Sequence, residues 1–141
     1  MARDRSGIEH LKSVELFSAC TRKELELIRG ATTELRFRAG EELARQGENG
    51  HEFMVVVQGT ARVEINDQLI ATLGPGEFFG EIALLDGGPR TATVVTETDV
   101  VAEVIGQREF ARLVEDSPHL AKKLLVGLAR RLRAADVQLA G

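Results

Sequence analysis

The sequence predicts a mainly β fold with flanking α-helices, closed into a barrel or jelly roll. Three observations predict it. Short β-like runs rich in Val, Ile, Thr and Phe follow one another between residues 31 and 106. Glycines punctuate those runs at turn spacing. Helical patterns occupy both ends of the chain. The expected layout is one domain over 1–141, with N-terminal helices over about 8–30, a β-barrel over about 31–106 and C-terminal helices over about 107–139.

Taken in order, "HLKSVELF" reads as a short helical piece. Thr21 to Glu24 then fits a capping box, with Leu25, Leu27 and Ile28 behind it and Gly30 as the expected stop. The runs "TTELRFRAGEEL", "HEFMVVVQG", "TARVEIN", "QLIATLG" and "TATVVTETDVVAEVI" supply the strands, separated by Gly40, Gly47, Gly50, Gly59 and Gly74-Pro75-Gly76. Asn66-Asp67 is a candidate tight hairpin, flanked by Val63 and Ile65 before it and Leu69 and Ala71 after it. Helix returns after Gly106 in "QREFARLVEDS", with Phe110, Leu113 and Val114 on one side. Ser117-Pro118 gives an N-cap followed by proline in a first turn. Leu120, Leu124, Leu128 and Leu132 form a stripe with two readings, packing on the chain's own barrel or a dimer seam.

A chain of 141 residues is long enough for one buried core. The net charge of −4 argues against a general nucleic-acid binder, which works by neutralising phosphates. Lys122, Lys123, Arg130, Arg131 and Arg133 are spread around several helical turns and read as a solvated face. No apolar run has membrane-spanning length and no signal-like segment opens the chain, so no membrane partner and a cytoplasmic location are expected. The single cysteine, Cys20, permits no internal disulfide and reads as a packing residue. A metal-dependent jelly-roll enzyme would need clustered histidines, and His51 has no second histidine near it. No catalysis, no metal and no cofactor are expected.

The chemistry concentrates in "FFGEIALLDGGPRTATV", residues 78 to 94. Gly80 lets backbone come close to a ligand. "EIALL" after it can form a helical turn whose free N–H groups suit an anion. Arg90 would supply a planar donor fork. There is no GxxxxGK[ST] phosphate loop, so a singly charged phosphodiester fits better than a triphosphate. An acid beside an anion makes sense once it accepts from a hydroxyl, as a carboxylate does with ribose in dinucleotide sites. Glu81 for a sugar and Arg90 for a phosphate together spell a cyclic nucleotide. The competing reading is that Glu81 and Arg90 simply pair across a turn.

Set inside FGE-x-A-L-x-x-x-x-P-R-T-A, the pair resembles the phosphate-binding cassette of the cyclic nucleotide-binding domain family. That family includes regulatory subunits of cyclic-nucleotide-dependent kinases, gated channels and bacterial catabolite activators. The resemblance runs from about Leu16 to about Leu132 and takes in "AGEELARQGENG", "VVVQGTARV" and "LGPGEFFGEIALL". It implies a jelly-roll barrel with C-terminal hinge and lid helices. Glu81 would take the ribose 2′-OH and Arg90 the cyclic phosphate. Gly80, Ile82 and the backbone N–H groups around Ala83 would complete the phosphate site. Val63, Leu73 and Val94 match positions lining the base and sugar pocket, and Thr91 follows the arginine. Leu84, Phe110 and Leu113 are the implied switch and hinge, and Leu128, Arg131, Leu132 or Arg133 the lid over the base. The implied ligand is cyclic AMP (cAMP) by the family's bacterial habit, with cyclic GMP (cGMP) as the alternative that the Thr91 hydroxyl keeps open. The implied function is a sensor without an output domain, acting on an effector protein or through a homodimer. The alternative is the same fold serving as an interaction scaffold with its pocket unused.

Overall fold

Five consecutive apolar residues in Glu52–Gln58 suit a strand covered on both faces. In the computed structural model that strand, β3, is buried on both. The structure describes residues 9, 11, 12, 14–80 and 87–140, as backbone alone at 15, 128, 131, 132 and 134–140. Phe53 and Val55 point outward from β3 into a helical layer. Met54 and Val56 point inward, into a second cluster with Val100, Ala102 and Val104.

Two four-stranded antiparallel sheets face one another. One is ordered β1 (Thr33–Phe37), β8 (Val100–Gly106), β3 and β6 (Phe78–Phe79). The other is ordered β2 (Glu42–Ala44), β7 (Thr93–Thr96), β4 (Ala61–Ile65) and β5 (Gln68–Leu73). This is the expected jelly roll, and each expected run contributes at least one strand. Two runs that read as continuous are each split between the sheets. "TTELRFRAGEEL" breaks into β1 and β2, and "TATVVTETDVVAEVI" into β7 and β8.

The two breaks are bonded to each other, which explains why the chain turns there. Gly40 N–H donates to the Thr96 carbonyl at 2.8 Å. Thr96 Oγ1 donates to the Arg38 carbonyl at 2.6 Å and accepts from Glu41 N–H at 2.8 Å. Asp99 Oδ1 accepts from Ala39 N–H at 3.0 Å. Thr96 is buried, so its hydroxyl is satisfied by the corner it holds.

Helix α1 (Arg22–Ala31) has the predicted capping box. Glu24 N–H donates to Thr21 Oγ1 at 3.2 Å, and Thr21 N–H donates back to Glu24 Oε1 at 2.8 Å. Gly30 does not stop it. The helix runs through Gly30 to Ala31 and ends on Thr32, which is extended and donates its N–H to the Arg29 carbonyl. A β-branched residue leading into β1 ends the helix here, and no left-handed glycine is required. Asn66 and Asp67, with φ of 53° and 64°, form the predicted hairpin turn between β4 and β5.

Two further helices, α2 (Gln107–Asp116) and α3 (Pro118–Ala140), follow β8. Pro118 occupies the first position of α3, as expected. Leu113, Leu120 and Leu124 join Leu11, Val14, Leu16, Phe17, Leu25 and Ile28 in the outer cluster. The first half of the leucine stripe therefore packs on the chain itself; the side chains of Leu128 and Leu132 lie outside the described residues. Gly127 is buried where α3 crosses the 3-10 turn Glu15–Phe17, and a Cβ there would come within 2.5 Å of the Leu16 carbonyl oxygen.

Candidate functional site

The site is set by how β6 ends. Phe78 pairs with Val55 and joins the outer cluster, and Phe79 pairs with Met54 and packs on the inner one. Two adjacent aromatics thus anchor both faces of the strand. Gly80 follows at φ +92°, a conformation that favours glycine. A Cβ at Gly80 would fall 2.5 Å from the Glu52 carbonyl oxygen and 2.6 Å from Arg90 Nη1. Backbone and arginine therefore meet closely here, at the glycine that the sequence reading expected to face a ligand. Glu81, Ile82, Ala83 and Leu84 lie outside the described residues, as do Leu85 and Asp86.

The chain is described again from Gly87, and its return limb is held by the segment 45–50. Arg90 N–H donates to the Glu48 carbonyl at 2.8 Å, and Gly47 N–H donates to the Arg90 carbonyl at 2.9 Å. Gly50 N–H donates to the Gly88 carbonyl at 3.3 Å, and Asn49 and Pro89 form a β-bridge. Gln46 adds a fourth hydrogen bond, its N–H donating to Thr93 Oγ1 at 2.9 Å. The Arg90 side chain lies along the backbone at Gly50, with its Cζ 5.9 Å from the centre of the Phe79 ring. From sequence, "AGEELARQGENG" reads as the end of a β-like run, turn glycines and part of a resemblance. The folded chain makes it the brace of the loop.

The expected pocket residues share one face. Val63 on β4 lies opposite Val94 on β7, and Ala61 lies opposite both Leu73 on β5 and Thr96 on β7. Directly opposed residues point the same way, and Leu73 packs on the inner cluster, so this is the inner face of the sheet. Ala61 and Thr96 are buried at one end of it. Val63 is half-buried and its neighbour Ala71 exposed at the other. Exposure along this face thus rises on the β4–β5 side while Val94 stays buried, at the end where β7 starts and Arg90 precedes it. Thr91 is exposed directly after Arg90.

The remaining expected residues sit on the helices. Leu113 is buried in the outer cluster and Phe110 packs against it. Arg133 is exposed on α3. The side chains of Leu128, Arg131 and Leu132 lie outside the described residues. The loop also reaches the start of α2, since Gln107 N–H donates to the His51 carbonyl at 2.8 Å and the Gln107 amide lies over Gly87.

Two features away from the loop matter for charge. Cys20 is half-buried against the outer cluster, and burial, followed by the Glu24 charge, pushes its thiol up to about 11. Lys123 Nζ on α3 pairs with Glu24 Oε1 at 2.5 Å. Lys123 and the Thr21 N–H hold the Glu24 carboxyl below its ordinary value. One of the five expected solvent-facing cations is thus tied to α1. Among the described residues no group of His, Cys, Asp and Glu is placed to hold a metal ion. Among them, too, no helix is long and apolar enough to cross a membrane.

A family model described as the cyclic nucleotide-binding domain matches residues 34–117. The chain is 31% identical over 137 residues to the cAMP-dependent protein kinase regulatory subunit of Hypocrea atroviridis, covering 97% of this chain and 28% of that protein. It is 31% identical over 134 residues to the Cyclic AMP receptor protein of Thermus thermophilus, covering 92% of this chain and 62% of that one. The chain thus spans less than two thirds of either relative. Among solved structures, the N-terminal domain of a transcriptional regulator from Streptomyces coelicolor superposes with a TM-score of 0.82 at 29% identity, covering 92% of this chain and 94% of that one.

Proposed function

The chain belongs to the cyclic nucleotide-binding domain family, and we propose that it is a non-catalytic sensor binding cyclic AMP in one domain over 1–141. The observation that carries the reading is the placement of Arg90. Its guanidinium is held beside Gly80, and the chain runs on from Arg90 into β7, whose Val94 faces Val63 on the apolar inner face that Leu73 shares. That arrangement offers a cation to a cyclic phosphate and an apolar wall to a base and sugar. Glu81 takes the ribose 2′-OH in this reading, and Gly80, Ile82 and the Ala83 N–H add to the phosphate site.

The ligand choice is supported by the relatives, whose names carry cyclic AMP. Cyclic GMP is the competitor, through the exposed Thr91 hydroxyl next to the arginine. One neutral hydrogen bond is worth about 0.5–1.5 kcal/mol, so Thr91 shifts the preference by about ten-fold at most. Transmission runs from the loop through Leu84, Phe110 and Leu113 to α3, where Leu128, Arg131, Leu132 or Arg133 caps the base. An effector protein or a second copy of the chain receives the signal, in the cytoplasm.

Calorimetric titration with cyclic AMP, cyclic GMP and 5′-AMP tests the reading. Saturable binding of a cyclic nucleotide, with 5′-AMP much weaker, is expected. No binding of either cyclic nucleotide would leave the fold as an interaction scaffold.

A further inference from the structure

We infer that Gly50 is a positioning residue for Arg90, its missing side chain being the space in which the guanidinium is held. The inference rests on the reading of Arg90 as the phosphate ligand. A Cβ built at Gly50 would lie 2.6 Å from Arg90 Cδ and closer still to Nε and Cζ. The Cδ–Nε–Cζ stretch of the arginine therefore lies directly against the Gly50 backbone. A Cβ at Gly80 would meet Nη1 at 2.6 Å, and the Phe79 ring stands 5.9 Å from Cζ. Two glycines and a ring make a slot for one guanidinium.

The two glycines differ in what demands them. Gly80 has φ of +92° and faces the Glu52 carbonyl, so any side chain there strains the backbone whatever the arginine does. Gly50 is not among the left-handed glycines, and the three nearest atoms its Cβ would meet all belong to the Arg90 side chain. Backbone conformation does not ask for glycine at 50; the arginine does. The segment carrying Gly50 is also fixed relative to Arg90 by the hydrogen bonds from Gly47 N–H, Arg90 N–H and Gly50 N–H. A methyl group at 50 cannot retreat, so the guanidinium must move instead. A bidentate donor fork depends on its plane and direction, so displacement weakens anion binding while the fold survives.

The test is a double-mutant cycle of wild type, Gly50→Ala, Arg90→Ala and the double variant, titrated with cyclic AMP. Gly50→Ala is expected to weaken binding about ten-fold or more beside Arg90, and to add nothing in the Arg90→Ala background. Unchanged affinity in Gly50→Ala, or an equal added loss in both backgrounds, overturns the inference. The Arg90 Nε–H resonance of the ligand-free protein, assigned by its loss in Arg90→Ala, reads the slot without nucleotide. It is expected to shift in Gly50→Ala, and an unshifted resonance overturns the contact. If wild type binds no cyclic nucleotide, the functional reading falls, the ligand-positioning role falls with it, and the resonance decides the slot alone.

Discussion

Arg90 is placed by things that touch it, and its removal should be felt by the ligand more than by the fold. Truncating one partner of a desolvated charge pair costs about 2–5 kcal/mol. Arg90→Ala should therefore weaken cyclic AMP binding by roughly 30- to several-thousand-fold, with the melting temperature little changed. Titration and a thermal melt of the same sample check both halves. Glu81 is separable from it by ligand chemistry. Glu81→Gln should lower affinity for cyclic AMP and hardly alter affinity for the 2′-deoxy analogue, and equal losses would assign Glu81 to bracing the arginine. At this scale Glu81 lies outside the described residues. Gly80 and Arg90, which the fold brings together, could be named from type and order. Gly50 could not, because its role is created by a side chain forty positions away that only folding brings alongside.

At the scale of elements, local signals held where the partners are local. The capping box of α1 and the Asn66-Asp67 turn are complete within a few residues, and both formed as predicted. Phe78–Phe79 gave no strand signal, because a two-residue strand exists only through its pairing with β3. Glu24 illustrates both cases, since it closes the capping box locally and reaches Lys123 on α3. Its folded carboxyl is held below the ordinary value of 4.5, chiefly by Lys123. The stabilisation is then fully present above the unfolded value and is lost as pH falls through the folded one. Glu24→Gln keeps a capping acceptor but removes the charge. The melting difference between wild type and Glu24→Gln should be steady above pH 4.5 and shrink toward zero below it, and melts across a pH series read this. Gly127→Ala sets two effects against each other. Alanine in mid-helix gains about 1 kcal/mol over glycine, yet its methyl would meet Leu16 backbone, which cannot swing aside. The contact should win, and the variant should melt lower than wild type.

At the scale of the molecule, the two sheets and the helical layer divide the work. The inner cluster closes the barrel, and the outer cluster binds α1, α2 and the first part of α3 to the back of one sheet. The candidate pocket belongs to the other sheet and to the loop that leaves β6. If nucleotide moves the helices, the change must cross β3, β6 and β8, the strands that carry residues of both clusters. A ligand shifts such an equilibrium only by its differential affinity for the two states. Amide hydrogen exchange over residues 107 to 139, with and without cyclic AMP, should show added protection when ligand is present. Identical exchange in both states would leave a pocket that binds without switching.

The crossing at Gly127 has a mechanical corollary. With its backbone against Leu16, α3 is seated at a fulcrum near its middle, since the helix runs from Pro118 to Ala140. The stretch beyond the fulcrum, at 1.5 Å of rise per residue, is a lever arm about 20 Å long. A tilt of about 10° at Gly127 sweeps the far end of that arm by about 3.4 Å, roughly the spacing of one layer of packed atoms. Small rotations of a well-packed hub are thus geared into displacements large enough to make or break a contact at the tip.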